Sequence, residues 1–185
     1  MNTETSKRIC PVERAAGLDN PLRKLFQNPR KILSRYIAPG MKVLDMGCGP
    51  GFFTLEIAQI VGDSGKVVAA DLQQGMLDRL KVKIKGTGLE GRIEFHKCEE
   101  KKIGLSEPLD FILCFYMVHE VPDQSGFFKE LGSILNPGGK MLVIEPDFHV
   151  TKSAFVEMLK LTVDAGFNVL EKPRVFFSRS VLLTK

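Results

Sequence analysis

Short apolar runs alternate along this chain with segments in which apolar residues recur every three or four positions. Apolar runs of this length, bounded by turn residues, are typical of buried strands. They predict strands over 42–46, 66–71, 92–98, 109–115 and 140–145. The spacing between them predicts helices over 51–61, over 75–84 and after Asp123. Strands that alternate with helices indicate a parallel sheet covered on both faces.

The end of the chain departs from this alternation. A predicted helix over 154–165 is followed by two apolar segments, 167–171 and 175–184, with no helix between them. Consecutive strands without a crossover helix pair antiparallel. We therefore predict an α/β fold with a Rossmann-like, doubly wound, seven-stranded sheet, mostly parallel with the last strand antiparallel. Ligands of such sheets bind beyond the carboxyl ends of the strands, where the strand order reverses.

Two Asn-Pro pairs, at positions 20–21 and 28–29, precede the first strand. Asn caps helix N-termini and Pro suits the first helical position, so each pair predicts a short helix. We expect residues 1–38 to form a helical arm and residues 39–185 the main domain, within one globular unit. The arm either covers the carboxyl ends of the strands as a lid or packs on the flank of the sheet. Its apolar side chains are Leu22, Leu25, Phe26, Ile32 and Leu33.

Composition narrows the class of protein. The 185 residues are 44% hydrophobic and 26% charged, a balance typical of a globular domain. The net charge of +4 does not indicate nucleic acid without a clustered basic patch. Neither a membrane span nor a secretory leader is predicted. The cysteines lie far apart, which indicates a reducing cytoplasm and neither a disulfide framework nor a metal site. They are Cys10, Cys48, Cys98 and Cys114.

The first strand runs into a glycine-rich loop, DMGCGPG at 45–51. Glycine allows sharp turns and close approach of a ligand, and the helix that follows offers unpaired N–H groups. Phe52 stands where the nicotinamide fingerprint has a small residue, and the P-loop sequence is absent. Asp71 ends the next strand, where a carboxylate can accept both hydroxyls of a ribose. The pattern predicts a nucleoside site, and the alternative is a tight turn with a capping Asp.

Five segments along the chain, in a fixed order, carry recognisable motifs. They are VLDMGCGPGFFTLEIA, VVAADLQQGML, the acidic step Cys98-Glu99-Glu100, LDFILCFYMVHEVPD and LNPGGKMLVIEP. Over about residues 40–185 the chain resembles the class I S-adenosylmethionine-dependent methyltransferases, in particular the small-molecule branch often labelled methyltransferase type 11. The resemblance implies direct in-line transfer of a methyl group from S-adenosyl-L-methionine to a small-molecule acceptor, with S-adenosyl-L-homocysteine as the product.

The resemblance also assigns the glycine loop to the methionine part of the cofactor. Gly47, Gly49 and Gly51 would wrap it, with Cys48 in the same loop. Asp45 would orient the glycines and help to bind the cofactor's ammonium group.

The adenosine part would be held by the next two strand ends. Asp71 would bind the ribose hydroxyls, and Leu72 would pack on the adenine. Glu99 replaces the Asp that usually accepts from the adenine amino group. Cys98 and Glu100 would flank the adenine with backbone N–H groups.

The end of the fourth strand would complete the site. Cys114 and Phe115 would offer backbone carbonyl oxygen to the cofactor's ammonium. The family often reads His-His-Leu-Pro-Asp where this chain has HEVPD, so that His119 matches and Glu120 does not. If the acceptor is a phenol or an alcohol, His119 and Glu120 are the nearest candidates for a general base. The alternative is that His119 packs over the cofactor and Glu120 faces solvent.

Other functions remain open at this stage. A non-catalytic protein that binds the cofactor or its product would carry the same motifs. A thiol-based arsenite methyltransferase would use several of the cysteines as thiolates. A nicotinamide oxidoreductase is disfavoured by Phe52 and by the antiparallel ending. We expect a monomer or homodimer without nucleic-acid or membrane partners.

Overall fold

The computed structural model describes residues 26–185, and seven strands and five α-helices lie in this part of the chain. The helices are α1 (Pro29–Leu33), α2 (Thr54–Val61), α3 (Gln74–Ile84), α4 (Gln124–Ile134) and α5 (Lys152–Asp164). The strands are β1 (Lys42–Met46), β2 (Lys66–Asp71), β3 (Ile93–Lys97), β4 (Leu109–Phe115), β5 (Leu135–Pro146), β6 (Asn168–Glu171) and β7 (Ser178–Thr184). The helix predicted to begin at positions 20–21 lies outside the described residues, apart from its last position, Phe26.

The strands form one sheet in the order β3-β2-β1-β4-β5-β7-β6. The first five strands pair in parallel, whereas β7 pairs antiparallel with both β5 and β6. The predicted fold class is therefore confirmed, including the antiparallel last strand. The chain reverses its direction of travel across the sheet between β1 and β4, which opens a crevice at their carboxyl ends.

Each face of the sheet carries its own apolar core. Along β1, Val43 belongs to the core beneath α1, α2 and α3, whereas Leu44 belongs to the core beneath α4 and α5. This division follows from the two-residue period of a strand, which sends successive side chains to opposite faces. Because both faces are covered, the central strands are apolar throughout rather than alternating.

The observed elements differ from the predicted ones mainly at their ends. Helix α2 begins at Thr54 rather than at position 51, because Gly51 has a φ of +86° and still belongs to the turn. Strand β5 begins at Leu135 rather than at the predicted position 140, and its pairing with β4 is irregular between Leu135 and Lys140. Among the described residues, no helix is long and apolar enough to cross a bilayer.

The described part of the N-terminal arm has two sets of contacts. Helix α1 is capped by Asn28, whose side chain accepts from the backbone N–H of Lys31 at 3.1 Å. Ile32 and Leu33 pack into the core on the face that α2 covers. Phe26 instead stacks on Phe176, with ring centroids 5.2 Å apart, near the start of β7.

Candidate active site

The carboxyl ends of β1, β2 and β4 lie side by side at the point where the strand order reverses. Met46 of β1 pairs with Ala70 of β2 and with Cys114 of β4. The residues that follow these three positions are the glycine loop, Asp71 and Phe115, and they therefore reach the same edge of the sheet. The predicted site residues of three separate segments are brought together here.

The glycine loop is fixed to the end of β2. The backbone N–H groups of Gly47 and Cys48 both donate to the carbonyl oxygen of Ala70, at 2.8 and 3.0 Å. Gly47, Gly49 and Gly51 all have positive φ, between +53° and +86°, a region that other residues rarely occupy. This explains why glycine stands at all three positions.

The three glycines differ in what surrounds them. A Cβ at Gly47 would come within 2.9 Å of Met117, and one at Gly51 would collide with Leu80. A Cβ at Gly49 would meet no atom within 4 Å. The loop is therefore packed at its two ends and open at Gly49, where a ligand can reach the backbone.

The carboxylate of Asp71 lies beside this opening. Its Oδ2 accepts from the N–H of Gly49 at 2.9 Å, and its Oδ1 accepts from the N–H of Gln73 at 2.8 Å. Burial raises the pKa of Asp71, although these N–H groups and the charge of Lys97 oppose that rise. Since a carboxylate has about four acceptor positions, Asp71 can still accept a further hydrogen bond from a ligand. It can therefore accept from a ribose hydroxyl.

Asp45 is buried at the end of β1, with 2% of its surface exposed. Its Oδ2 accepts from the Thr54 hydroxyl at 2.5 Å. Burial raises the pKa of Asp45 to about 7, the Thr54 hydrogen bond opposes this, and the charge of Asp71 adds to it. A cationic ligand group at this end of the strand would favour the ionised form of Asp45. Thr54 was not predicted as a site residue, and its only signal was a hydroxyl at the start of an apolar helix.

The segment after β3 agrees only in part with the predicted adenine contacts. The N–H of Cys98 donates to the carbonyl oxygen of Asp71 at 3.0 Å, so the expected donation from Cys98 to adenine does not fit this structure. Glu99 exchanges backbone hydrogen bonds with Lys102, and its side chain is exposed. Glu100 is exposed, and Leu72 is half-buried next to Asp71. Leu72, Glu99 and Glu100 therefore remain the candidates for the adenine side.

Aromatic rings line the end of β4. The ring of Phe115 lies 4.3 Å from that of Phe53 and 4.2 Å from that of Tyr116, between centroids. Tyr116 has a φ of +57°, an uncommon backbone conformation for a residue other than glycine. Cys114 is fully buried, backbone included, so the expected contact of its carbonyl oxygen with the cofactor's ammonium stays a prediction. Tyr116 was not predicted, and its backbone conformation is invisible in the sequence.

His119 lies on a short 3-10 turn, Val118–Glu120, that follows β4. Its Nδ1 contacts Oε2 of Glu145, the buried acid that ends the apolar run of β5. Burial lowers the pKa of His119, but the hydrogen bond and charge of Glu145 and the charge of Glu120 outweigh it, so the pKa is raised. Glu145 was missed, although it has the same signal as Asp45 and Asp71: an acid that terminates an apolar strand.

The cysteines do not form a thiolate site within the described residues. Cys48, Cys98 and Cys114 are free and buried. Burial raises the pKa of all three thiols, which disfavours the thiolates that arsenic chemistry needs. No group of three metal-binding side chains occurs among residues 26–185. Cys10 lies outside the described residues.

Comparison with known proteins agrees with this geometry. The family described as "Methyltransferase domain" matches residues 37–172. A S-adenosylmethionine-dependent methyltransferase from Aquifex aeolicus superposes with a TM-score of 0.86 and 29% identity, covering 95% of this chain and 98% of that one. Fibrillarin from Aeropyrum pernix, which was solved with natively bound S-adenosyl-L-methionine, superposes with a TM-score of 0.64 and 14% identity. The match covers 80% of this chain and 68% of fibrillarin, and it shows a similar fold.

A relative with a named activity matches this chain over a smaller share of both proteins. The ubiquinone/menaquinone biosynthesis C-methyltransferase UbiE of Haemophilus ducreyi is 29% identical over 137 residues, 74% of this chain and 51% of that protein. The chain thus spans about half the length of the curated relatives it matches.

The chain belongs to the methyltransferase-domain family, within the class I S-adenosylmethionine-dependent methyltransferases. The cofactor of this class is S-adenosyl-L-methionine. The residues present fit it: an opening at Gly49 lies next to a carboxylate with spare acceptor capacity, and a second buried acid lies nearby.

Asp71→Ala tests the ribose contact. We expect the affinity for S-adenosylhomocysteine to fall at least about tenfold, because a hydrogen bond to a charged acceptor, worth about 1.5–3 kcal/mol, is lost. Isothermal titration calorimetry measures the affinity, and circular dichroism verifies the fold. Asp78→Ala, which removes an exposed carboxylate from α3, is the matched control. Wild-type affinity in a folded Asp71→Ala protein would contradict the assignment.

Gly49→Ala tests the opening of the loop, with Gly88→Ala as a matched control. Both glycines have positive φ and no atom within 4 Å of a built Cβ, so both variants lose similar stability, about 1–2 kcal/mol. Only Gly49→Ala is expected to lose cofactor affinity, by at least tenfold. Equal affinities for S-adenosylhomocysteine in the two variants would show that the loop is only a turn.

Asp45→Asn tests the buried acid through the pH dependence of stability. The folded pKa of about 7 lies above the ordinary value of 3.8, so the native state holds a proton that the unfolded state releases. Asp45 therefore makes the free energy of unfolding fall as pH rises from about 4 to 7, by up to about 1.4 kcal/mol per pH unit. Asn keeps an acceptor for Thr54 but does not titrate. Urea unfolding at pH 5, 6, 7 and 8 measures the free energy of unfolding. Relative to the wild type, the variant should become more stable as pH rises, and a difference that does not change with pH would refute the raised pKa of Asp45.

Proposed function

We propose that this protein transfers a methyl group from S-adenosylmethionine to a small-molecule acceptor that carries a hydroxylated aromatic ring of the quinone type. The observation that carries the transfer is the hydrogen bond from Gly49 to Asp71 beneath an open loop surface. It supports the proposal because an opening at the loop backbone lies directly beside a carboxylate that could accept ribose hydroxyls.

The residues of this chain would mainly bind the cofactor and the acceptor and orient them toward each other. When bound, the cofactor supplies a sulfonium methyl whose bond to sulfur breaks, with the electron pair leaving on sulfur, as the new bond forms. Alignment of two reactants can lower a barrier by about 7–11 kcal/mol, so no elaborate catalytic group is required. Asp71 would fix the ribose, and Asp45 would attract the ammonium group. Because the pKa of Asp45 is near 7, its attraction for a cation grows as pH rises through neutrality.

The acceptor class draws on two kinds of support. The relative from Haemophilus ducreyi is described as acting in ubiquinone/menaquinone biosynthesis on carbon. We take the end of β4 as the acceptor side. There the half-buried Tyr116 stacks on the buried Phe115, and the exposed Phe148 meets Tyr116 edge-on at 6.4 Å. Aromatic side chains favour offset-stacked or edge-on contacts with a flat ring. Such rings suit contact with an aromatic acceptor.

The N-terminal arm is proposed as the lid of this site. Its described end lies beside the acceptor side, because the Gln27 side-chain amide donates to the Tyr116 hydroxyl at 2.6 Å. A lid excludes water from the reacting groups. Hydrogen exchange of residues 10–27, with and without S-adenosylhomocysteine, measures this directly, and equal protection in both states would argue for simple flank packing.

The function is tested by turnover. Purified protein with S-adenosylmethionine should methylate a short-chain naphthohydroquinone or benzohydroquinone, kept reduced with dithionite. Mass spectrometry should detect a product heavier by one methylene, together with S-adenosylhomocysteine. An alkylamine of similar size serves as the control acceptor. Binding of S-adenosylhomocysteine without methylation of either hydroquinone would contradict the proposed acceptor class and favour a non-catalytic binding protein.

A further inference from the structure

A buried acid links the ends of β4 and β5. Glu145, with 1% of its surface exposed, lies at the end of the apolar part of β5. Its Oε1 accepts from the backbone N–H of Val118 at 2.9 Å, and its Oε2 contacts Nδ1 of His119. One carboxylate therefore fixes both the backbone of the turn and the ring that the turn carries.

The contact with Glu145 determines which nitrogen of the His119 ring carries the hydrogen. A carboxylate offers only acceptors, so the ring nitrogen that faces it carries the hydrogen. The other nitrogen, Nε2, then has a free lone pair in the neutral ring. The His119 side chain retains 21% exposure, whereas Glu145 is closed off from solvent. The ring is thus held from its buried side and accessible from the other.

The groups that face His119 set its protonation. Glu145 contacts it directly, the charge of Glu120 acts on it, and the ring of His149 meets it edge-on with centroids 4.8 Å apart. His149 belongs to the loop that follows β5, so β4 and β5 both contribute neighbours. The two acids favour the protonated form of His119 and make it a stronger base than an isolated imidazole.

We propose that Glu145 is a positioning residue that fixes His119 with Nδ1–H toward the carboxylate, so that Nε2 accepts the hydroxyl proton of the acceptor. This inference rests on the proposed function, since it needs an acceptor with an ionisable hydroxyl group. In this proposal the pair acts on the acceptor.

The proton and electron balance is complete without another reagent. The acceptor hydroxyl loses its proton to Nε2 of His119, and the electron pair of that O–H bond stays on the acceptor. The resulting phenolate uses its oxygen, or the ring carbon next to it, to form the bond to the methyl carbon. For attack by carbon, the ring carbon then releases its own hydrogen as a proton to restore the aromatic ring. The imidazolium, stabilised by Glu145, returns its proton to solvent.

The first test follows the His119 ring directly, without turnover. Histidine-labelled full-length protein saturated with S-adenosylhomocysteine is titrated by ¹H–¹⁵N NMR, and the chain's three histidines are assigned with His96→Gln and His149→Gln. We expect His119 to titrate above 6.5 with Nδ1 protonated in the neutral form. Glu145→Gln should lower the His119 pKa and mix the tautomers, whereas Glu120→Gln should lower the pKa slightly and leave the tautomer fixed. An unchanged titration and tautomer in folded Glu145→Gln would overturn the positioning role.

The second test measures catalysis with the naphthohydroquinone probe. His119→Gln, whose partly exposed site tolerates the change even if Glu145→Gln does not fold, should lower kcat by about 10²–10⁴-fold with little change in the affinity for S-adenosylhomocysteine. In Glu145→Gln, kcat should fall and the acid limb of its pH profile should move to lower pH. A merely structural Glu145 would change stability and leave that limb in place.

The two proposals fail in different ways. Turnover by the wild type that is unchanged in His119→Gln would overturn the base role and leave the proposed function intact. No turnover of either hydroquinone by wild-type protein would contradict the proposed function, while the NMR titration would still decide whether Glu145 positions His119.

Discussion

The site depends on one hydrogen-bonded carboxylate, Asp71. It terminates β2, yet it holds the backbone of the loop that follows β1 through Gly49 and the start of α3 through Gln73. The same strand end also holds the loop through the Ala70 carbonyl. Strands β1 and β2 are thus connected beyond the end of the sheet as well. There, hydrogen bonds from the loop after β1 to Ala70 and Asp71 replace the ladder of the sheet. The glycine loop therefore has several fixed points, so that it is held in place before any ligand binds.

Three acids end apolar strands in this protein, and each has a partner from a different element. Asp45 accepts from Thr54, Asp71 from backbone N–H groups, and Glu145 from Val118 and from His119. Burying a carboxylate costs free energy unless hydrogen bonds compensate. Such buried carboxylates recur at one edge of the sheet and not in the two cores, which is the pattern expected of a functional site.

The sequence was sufficient for the fold and for the strand ends that carry the site, because apolar runs and glycine spacing are local signals. It predicted Asp71 and the glycine loop, but not that the Cys98 N–H is already bonded to the Asp71 carbonyl. It also missed Glu145, whose partner His119 is 26 positions away in the chain. Contacts of this kind depend on which strands become neighbours, and β4 and β5 are joined only once the sheet has formed.

The glycine loop and the turn that carries His119 meet at a packing contact. The side chain of Met117 lies against Gly47, so closely that a Cβ at Gly47 would come within 2.9 Å of it. Met117 is followed directly by Val118, whose N–H is held by Glu145. A shift of the glycine loop would therefore press on the turn that carries His119. Because protein interiors transmit small displacements through such contacts, the glycine at position 47 does more than allow a turn. It lets the glycine loop and the turn that carries His119 pack closely together.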